Sequence, residues 1–334
     1  MKDILGNDSL KNHLISSVRQ RKISHAYILE GEKGSGKKKT ASAFAALLQC
    51  EQAENIEEAC GECTSCIMMK NKNHPDVIWV THDKPGVISV GEIRQQVINT
   101  VEVKPYKGPY KIYIIDEAEK MNQAAQNAIL KTIEEPPEYA VILLLTTNRG
   151  AFLPTILSRC IILTMKPVAD EDIRKYLKTY CDAKNETIDF CVGFAMGNIG
   201  KAWSAAVSED FSEMRDTGMS ILKYFHDLEK YEIVEKTKEL KKWKDNIQEY
   251  LDIMLIWFRD ILVLKALKEE KYLIFQLEYE YLKKQSERLH YEDLNEIFSQ
   301  IYQTGMRIRA NVNFDTSMEL LHIEIKKRYS KGIV

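Results

Sequence analysis

A surplus of basic side chains is missing from this chain: 47 Lys and Arg stand against 49 Asp and Glu, a formal net charge of −2. A protein that grips DNA alone carries a basic excess that displaces counterions, so any nucleic-acid contact here is expected to be local or shared with partners. An apolar leader is missing too, because Met1 to Leu10 is polar and charged, and we expect a cytoplasmic protein. No apolar run is clean enough to cross a bilayer. The best one, Leu251 to Leu267, carries Arg259, Asp260 and Lys265 and reads as a buried helix. Internal repeats and low-complexity linkers are absent. The seven cysteines are not spread as in a disulfide framework, since four of them fall between Cys50 and Cys66. That clustering points to metal in a reducing compartment.

What is present falls into three stretches, and 334 residues leave room for two or three cores. Residues 1–165 alternate strand-like and helix-like segments. Ala26–Glu30, Asp76–Val80, Ile112–Ile115 and Ala140–Thr147 are β-rich, and Asn122–Glu135 is helical up to Pro136-Pro137. Such alternation predicts a mostly parallel sheet covered on both faces. Residues 166–207 read as three short helices, Asp170–Cys181, Ile188–Met196 and Lys201–Val207. Residues 208–334 are helical nearly throughout, with Leu251, Met254, Leu255, Phe258 and Leu262 at amphipathic spacing. The expected class is α/β plus all-α.

Gly31-Glu32-Lys33-Gly34-Ser35-Gly36-Lys37 follows a strand and opens a helix, the context in which G-x-x-x-x-G-K-[ST] cradles phosphates. The lysine of that pattern reaches the outer phosphates and the hydroxyl after it holds magnesium. Here the hydroxyl is replaced by Lys38. Thr40 lies two positions on, rotated by about 200°, and is a poor substitute. We therefore expect a degenerate nucleotide site rather than a working one, with binding without turnover left open. Asp116 and Glu117 end an apolar strand, where a phosphate-loop protein keeps its magnesium-supporting Asp and water-polarising Glu. Thr147 ends another strand and is a candidate γ-phosphate sensor or a simple strand cap.

Cys50, Cys60, Cys63 and Cys66 have the spacing C-x9-C-x2-C-x2-C. Overlapping C-x2-C turns present thiolates to one tetrahedral ion, and four sulfur ligands leave no open position. Structural zinc is expected, with an iron–sulfur cluster or redox disulfides as alternatives. His74 reads as an ordinary loop residue, and Cys160, Cys181 and Cys191 as buried apolar ones.

Leu153-Pro154-Thr155-Ile156-Leu157-Ser158-Arg159-Cys160 adds specificity when joined to the cysteine cluster, Asp116-Glu117 and the run from Asn127 to Pro137. Together they resemble the clamp-loader subunits of bacterial DNA polymerase III, members of the AAA+ family. The resemblance implies an AAA+ P-loop core with a zinc insert at 50–66, a small helical lid at 166–207 and a helical collar at 208–334. It also implies a five-subunit ring with ATP-binding motor subunits and a delta subunit, which opens a sliding clamp and places it on primed DNA. By that likeness Arg159 is an arginine finger acting on a neighbour's ATP and Mg²⁺, where a reading from the residues alone prefers an ion pair at the domain edge. The motor subunits carry a lid arginine where this chain has Gly200, followed by Lys201. With Lys38, that departure implies the non-hydrolysing stator role. An active clamp-loader ATPase and a stand-alone zinc-dependent nucleic-acid binder are the other readings.

Overall fold

The computed structural model describes residues 1, 3–52 and 58–330. They form two compact units: Met1–Ile173 with Gly197–Gly200, and Arg174–Met196 with the chain from Lys201 onward.

The first unit is built on a five-stranded sheet of β1 (Ala26–Glu30), β2 (Val77–Val80), β3 (Lys111–Ile115), β4 (Ala140–Thr146) and β5 (Ile161–Thr164), in the order β2-β3-β4-β1-β5. All four pairings are parallel. β1, β3 and β4 read as unbroken apolar runs because both faces are covered. Tyr27, Leu29, Ile112, Ile114, Val141, Leu143 and Leu145 face one core, shared with Leu14, Phe44 and Leu48. Ile28, Tyr113, Ile115, Ile142 and Leu144 face the other, with Ile93, Val97, Ile129 and Ile133. β5 is not among the strands expected from sequence. It is a four-residue edge strand, half-buried along Ile161, Ile162 and Leu163, and too short to show a period.

Parallel strands place their carboxyl ends on one edge. The crevice outside those ends is where open α/β sheets bind ligands. Gly31 follows β1 there, Asp116 follows β3, Thr147 follows β4 and Met165 follows β5. The helix Gln123–Glu134 starts on the Asn122 side chain, which accepts the Ala125 N–H, and it stops one residue short of the Pro136-Pro137 pair's predecessor.

The second unit is all helical. Its longest helix, Ile247–Leu267, is buried beyond the single stripe expected, since Tyr250, Ile253, Ile256, Trp257, Ile261 and Leu264 are inside along with Leu251, Met254 and Phe258. A helix apolar nearly all round is a central one. The piece Trp257-Phe258-Arg259-Asp260 fixes its surroundings. The buried Asp260 carboxylate accepts from Arg259 Nη1 (2.7 Å) and from the N–H groups of Ile274 and Phe275, while Trp257 Nε1 donates to Gln285 Oε1 (3.0 Å). Helices Asn185–Ala195 and Ile199–Val207 occupy the segment expected to form the lid.

Candidate nucleotide and metal sites

The phosphate loop takes its shape from Gly34 and Gly36, with φ of 89° and 97°, a left-handed region costly to side chains. Behind it the helix Lys37–Gln49 begins. Lys37 is buried and its Nζ donates to the carbonyls of Gly31 (2.6 Å) and Glu32 (2.8 Å), closing the loop on itself. Burial pulls its pKa down, against the nearby carboxylates of Glu119 and Asp116. Gly31, Gly34, Gly36, Lys37 and Asp116 are thus gathered at one edge of the sheet.

The other expected residues are placed differently. Lys38 turns to Asp116, with Nζ 2.6 Å from Oδ2. Glu117 sits at φ 49° and pairs with Lys120 (2.6 Å). Thr147 is exposed, and both its N–H and hydroxyl donate to Glu119 Oε1, at 3.3 and 2.6 Å. Burial pushes the Glu119 carboxyl up, but these donors outweigh it and hold the group below its usual range. Glu119 was not among the residues singled out from sequence, though its place three residues after Asp116, on a short turn at the strand end, is a signal that was there to read. Thr40 is fully buried and its hydroxyl lies 3.8 Å from Met165 Sδ, so it is spent on packing.

Gly200 has a local reason to be glycine. Its N–H donates to the Gly34 carbonyl (3.0 Å), and a Cβ there would stand 2.6 Å from that oxygen and 2.7 Å from Gly34 Cα. The Asn198 amide donates to the Lys33 carbonyl (2.8 Å) and to Glu32 Oε2 (3.3 Å). Residues 197–200 are therefore fastened to the outside of the phosphate loop. Lys201, the neighbour of Gly200, is ion-paired with Asp252 (2.7 Å).

The ligand atoms of Cys50, Cys60, Cys63 and Cys66 all lie within 4.8 Å of one another. Cys50 ends the phosphate-loop helix, and Cys63 caps Thr64–Lys70 by accepting the Cys66 N–H (3.4 Å). Zinc–sulfur bonds of about 2.3 Å in a tetrahedron put sulfurs about 3.8 Å apart. Cys60 and Cys66 Sγ are 3.9 Å apart, which fits. Backbone N–H groups of Cys63 and Glu62 bring the Cys60 thiol down to about 7, whereas burial raises Cys50 and Cys66. His74 stays out of this group; its Nδ1 accepts the Asp76 N–H (3.2 Å).

Arg159 is exposed. Its Nη2 is 3.0 Å from Glu134 Oε1, and Nη1 donates to the Thr155 carbonyl (3.0 Å) and Ser158 Oγ (3.2 Å). An ion pair this open is worth about 0–1 kcal/mol and leaves the guanidinium available.

These arrangements have relatives. The family described as DNA polymerase III, delta subunit matches residues 6–169. The delta′ subunit of DNA polymerase III from Bacillus subtilis is 26% identical over 318 residues, covering 94% of each chain. The chain belongs to the clamp-loader subunit family of DNA polymerase III. Within that family the tau subunit of B. subtilis is 30% identical over 285 residues, 79% of this chain and 50% of tau. The tau/gamma subunit of Haemophilus influenzae is 34% identical over 175 residues, 52% of this chain and 25% of that one. The chain thus spans half or less of these two longer relatives. A DNA polymerase III gamma subunit-related protein from Thermotoga maritima shares the fold, with a TM-score of 0.50 at 19% identity over 96% of this chain and 99% of that one.

Proposed function

We propose that this chain is the delta-prime-type, non-hydrolysing subunit of a bacterial clamp loader, the stator against which motor subunits work. The observation that carries the reading is the Lys38–Asp116 ion pair, which sets an ammonium where hydrolysis needs magnesium. Gly200 in place of a lid arginine supports it, as does the B. subtilis delta′ subunit, matched over nearly its full length.

In this role the chain's chemistry faces a neighbour. Arg159 acts as an arginine finger toward ATP and Mg²⁺ held by an adjacent motor subunit, swinging from Glu134 to the γ-phosphate. Cys50, Cys60, Cys63 and Cys66 hold a structural zinc that ties the end of the phosphate-loop helix to Thr64–Lys70. The helices after residue 208 form the collar that joins motor and delta subunits, and the ring acts on the sliding clamp and primed DNA in the cytoplasm.

Reconstitution with motor subunits tests this. An arginine finger is worth about 10³–10⁵ in rate, so Arg159→Ala should silence the one motor site beside it while the others turn over. Unchanged ATPase in that complex overturns the finger. Lys37→Ala, in a subunit shown by its thermal melt to be folded and assembled, should leave the turnover of the complex intact; abolition of turnover in that folded complex would favour an active ATPase instead.

A further inference from the structure

The geometry at Asp116 points to a specific role for Lys38. We propose that its ammonium is the resident cation of the phosphate loop, held where other loops keep a divalent metal, and that Lys38 decides that no divalent cation is taken there. The inference rests on reading the site as non-hydrolysing and names the residue responsible.

Three features carry it. First, the 2.6 Å contact joins a half-buried carboxylate to a lysine that reaches in from solvent; their side chains are 23% and 69% exposed. The cation is thus tethered to the loop and arrives without an ion being dehydrated. Second, the oxygen ligands a divalent ion would recruit are committed elsewhere. Thr40 Oγ1 is turned to Met165, Glu117 pairs with Lys120, and Glu119 Oε1 is occupied by Thr147. Magnesium demands near-octahedral oxygen coordination, and Asp116 alone is a poor start. Third, two positive charges are already in place, with Lys37 and Lys38 set among the carboxylates of Asp116, Glu119 and Glu32. A divalent ion entering beside both lysines would meet two positive charges at close range.

The test uses the purified full chain, with Mn²⁺ followed by paramagnetic resonance and a fluorescent ATP analogue as probes. Wild type should give the same analogue signal with and without added Mg²⁺, and its Mn²⁺ binding should be indifferent to Asp116→Asn. Lys38→Thr removes the ammonium and restores the hydroxyl. It should gain an Mn²⁺ site at least about tenfold tighter than any in wild type, a shift of about 1.4 kcal/mol, and lose it again with Asp116→Asn. Lys38→Ala, which frees Asp116 without adding a hydroxyl, should gain part of it. Matching thermal melts show that the variants are folded. Asp116-dependent Mn²⁺ binding by wild type overturns the proposal, as does a folded Lys38→Thr that gains nothing. ATP hydrolysis by wild type would instead refute the non-hydrolysing reading, so the two failures are distinguishable.

Discussion

Gly200→Ala sets two opposite effects against each other. Gly200 lies in the first turn of Ile199–Val207, where alanine would restrict the unfolded chain and stabilise the protein by about 0.4–1 kcal/mol. Against this, the new Cβ would lie 2.6 Å from the Gly34 carbonyl oxygen and 2.7 Å from Gly34 Cα, well inside van der Waals contact. The opposing atoms are backbone, and Gly34 is at φ 89°, so neither side can yield by rotating a side chain. Overpacking of this kind costs about 1–3 kcal/mol. Relief by moving residues 197–200 outward would break the Gly200 N–H bond to Gly34 and strain those of Asn198, each worth about 0.5–1.5 kcal/mol. The clash wins, and a net loss of about 1–2 kcal/mol is expected. Urea unfolding measures the loss, and hydrogen exchange at the Gly200 amide should show faster opening. A variant stabilised by the full glycine-to-alanine gain, with that amide as protected as before, would refute the contact. Placing an arginine here meets the same obstacle, so Gly200→Arg should detach the segment rather than create a nucleotide contact.

Other perturbations test neighbouring parts. The buried Asp76 carboxylate accepts the N–H groups of Tyr106, Lys107 and Gly108 at 2.6, 2.7 and 2.9 Å; burial raises its pKa, but those donors outweigh it and leave it depressed. Asp76→Ala should cost about 2–4 kcal/mol at neutral pH. Because the folded pKa is lowered, Asp76's contribution is complete above the unfolded value near 3.9 and fades as pH falls through the folded one, so wild-type and variant melting curves should converge below about pH 4. The purified chain should hold zinc at about one ion per four-cysteine site by atomic absorption, and Cys66→Ser should lose it and expose the segment around Thr64–Lys70 to protease. Less than stoichiometric zinc after gentle purification would refute that site.

Much of the first unit was legible because its signals are local. Ala26–Glu30 is a strand with the expected ends, and Asn122 and Pro136 bracket a helix whose limits they set. Cys60, Cys63 and Cys66 converge because two tight turns leave them little choice, with Cys50 joining them from the end of the phosphate-loop helix. β5 was not legible, since four residues at a sheet edge carry no period. Glu119, and the contact that makes Gly200 a glycine, escaped for another reason. The first matters through its bond to Thr147, 28 residues away, and the second through the backbone of Gly34, 166 residues away. Periodicity reports which face of an element is buried, and it carries no information about what lies against that face. Lys38 stands between these cases: its substitution was visible in the motif, while its partner was not.

That partner explains how a phosphate loop persists in a chain read as non-hydrolysing. A loop kept only for catalysis would have no reason to retain its lysine and left-handed glycines once magnesium was lost. Here Lys37 bonds the loop's own carbonyls, Lys38 neutralises the acid at the end of β3, and Gly34 carries residues 197–200 on its outer side. Each contact needs the loop's geometry, and none of them needs a phosphate. Lys37 is also costly to replace on stability grounds alone, because its removal would leave the Gly31 and Glu32 carbonyls without their donor and Glu119 without a nearby positive charge. The parts of the motif that are present fasten neighbouring segments of the first unit together, and the part this chain lacks is the hydroxyl that in other phosphate loops serves the metal.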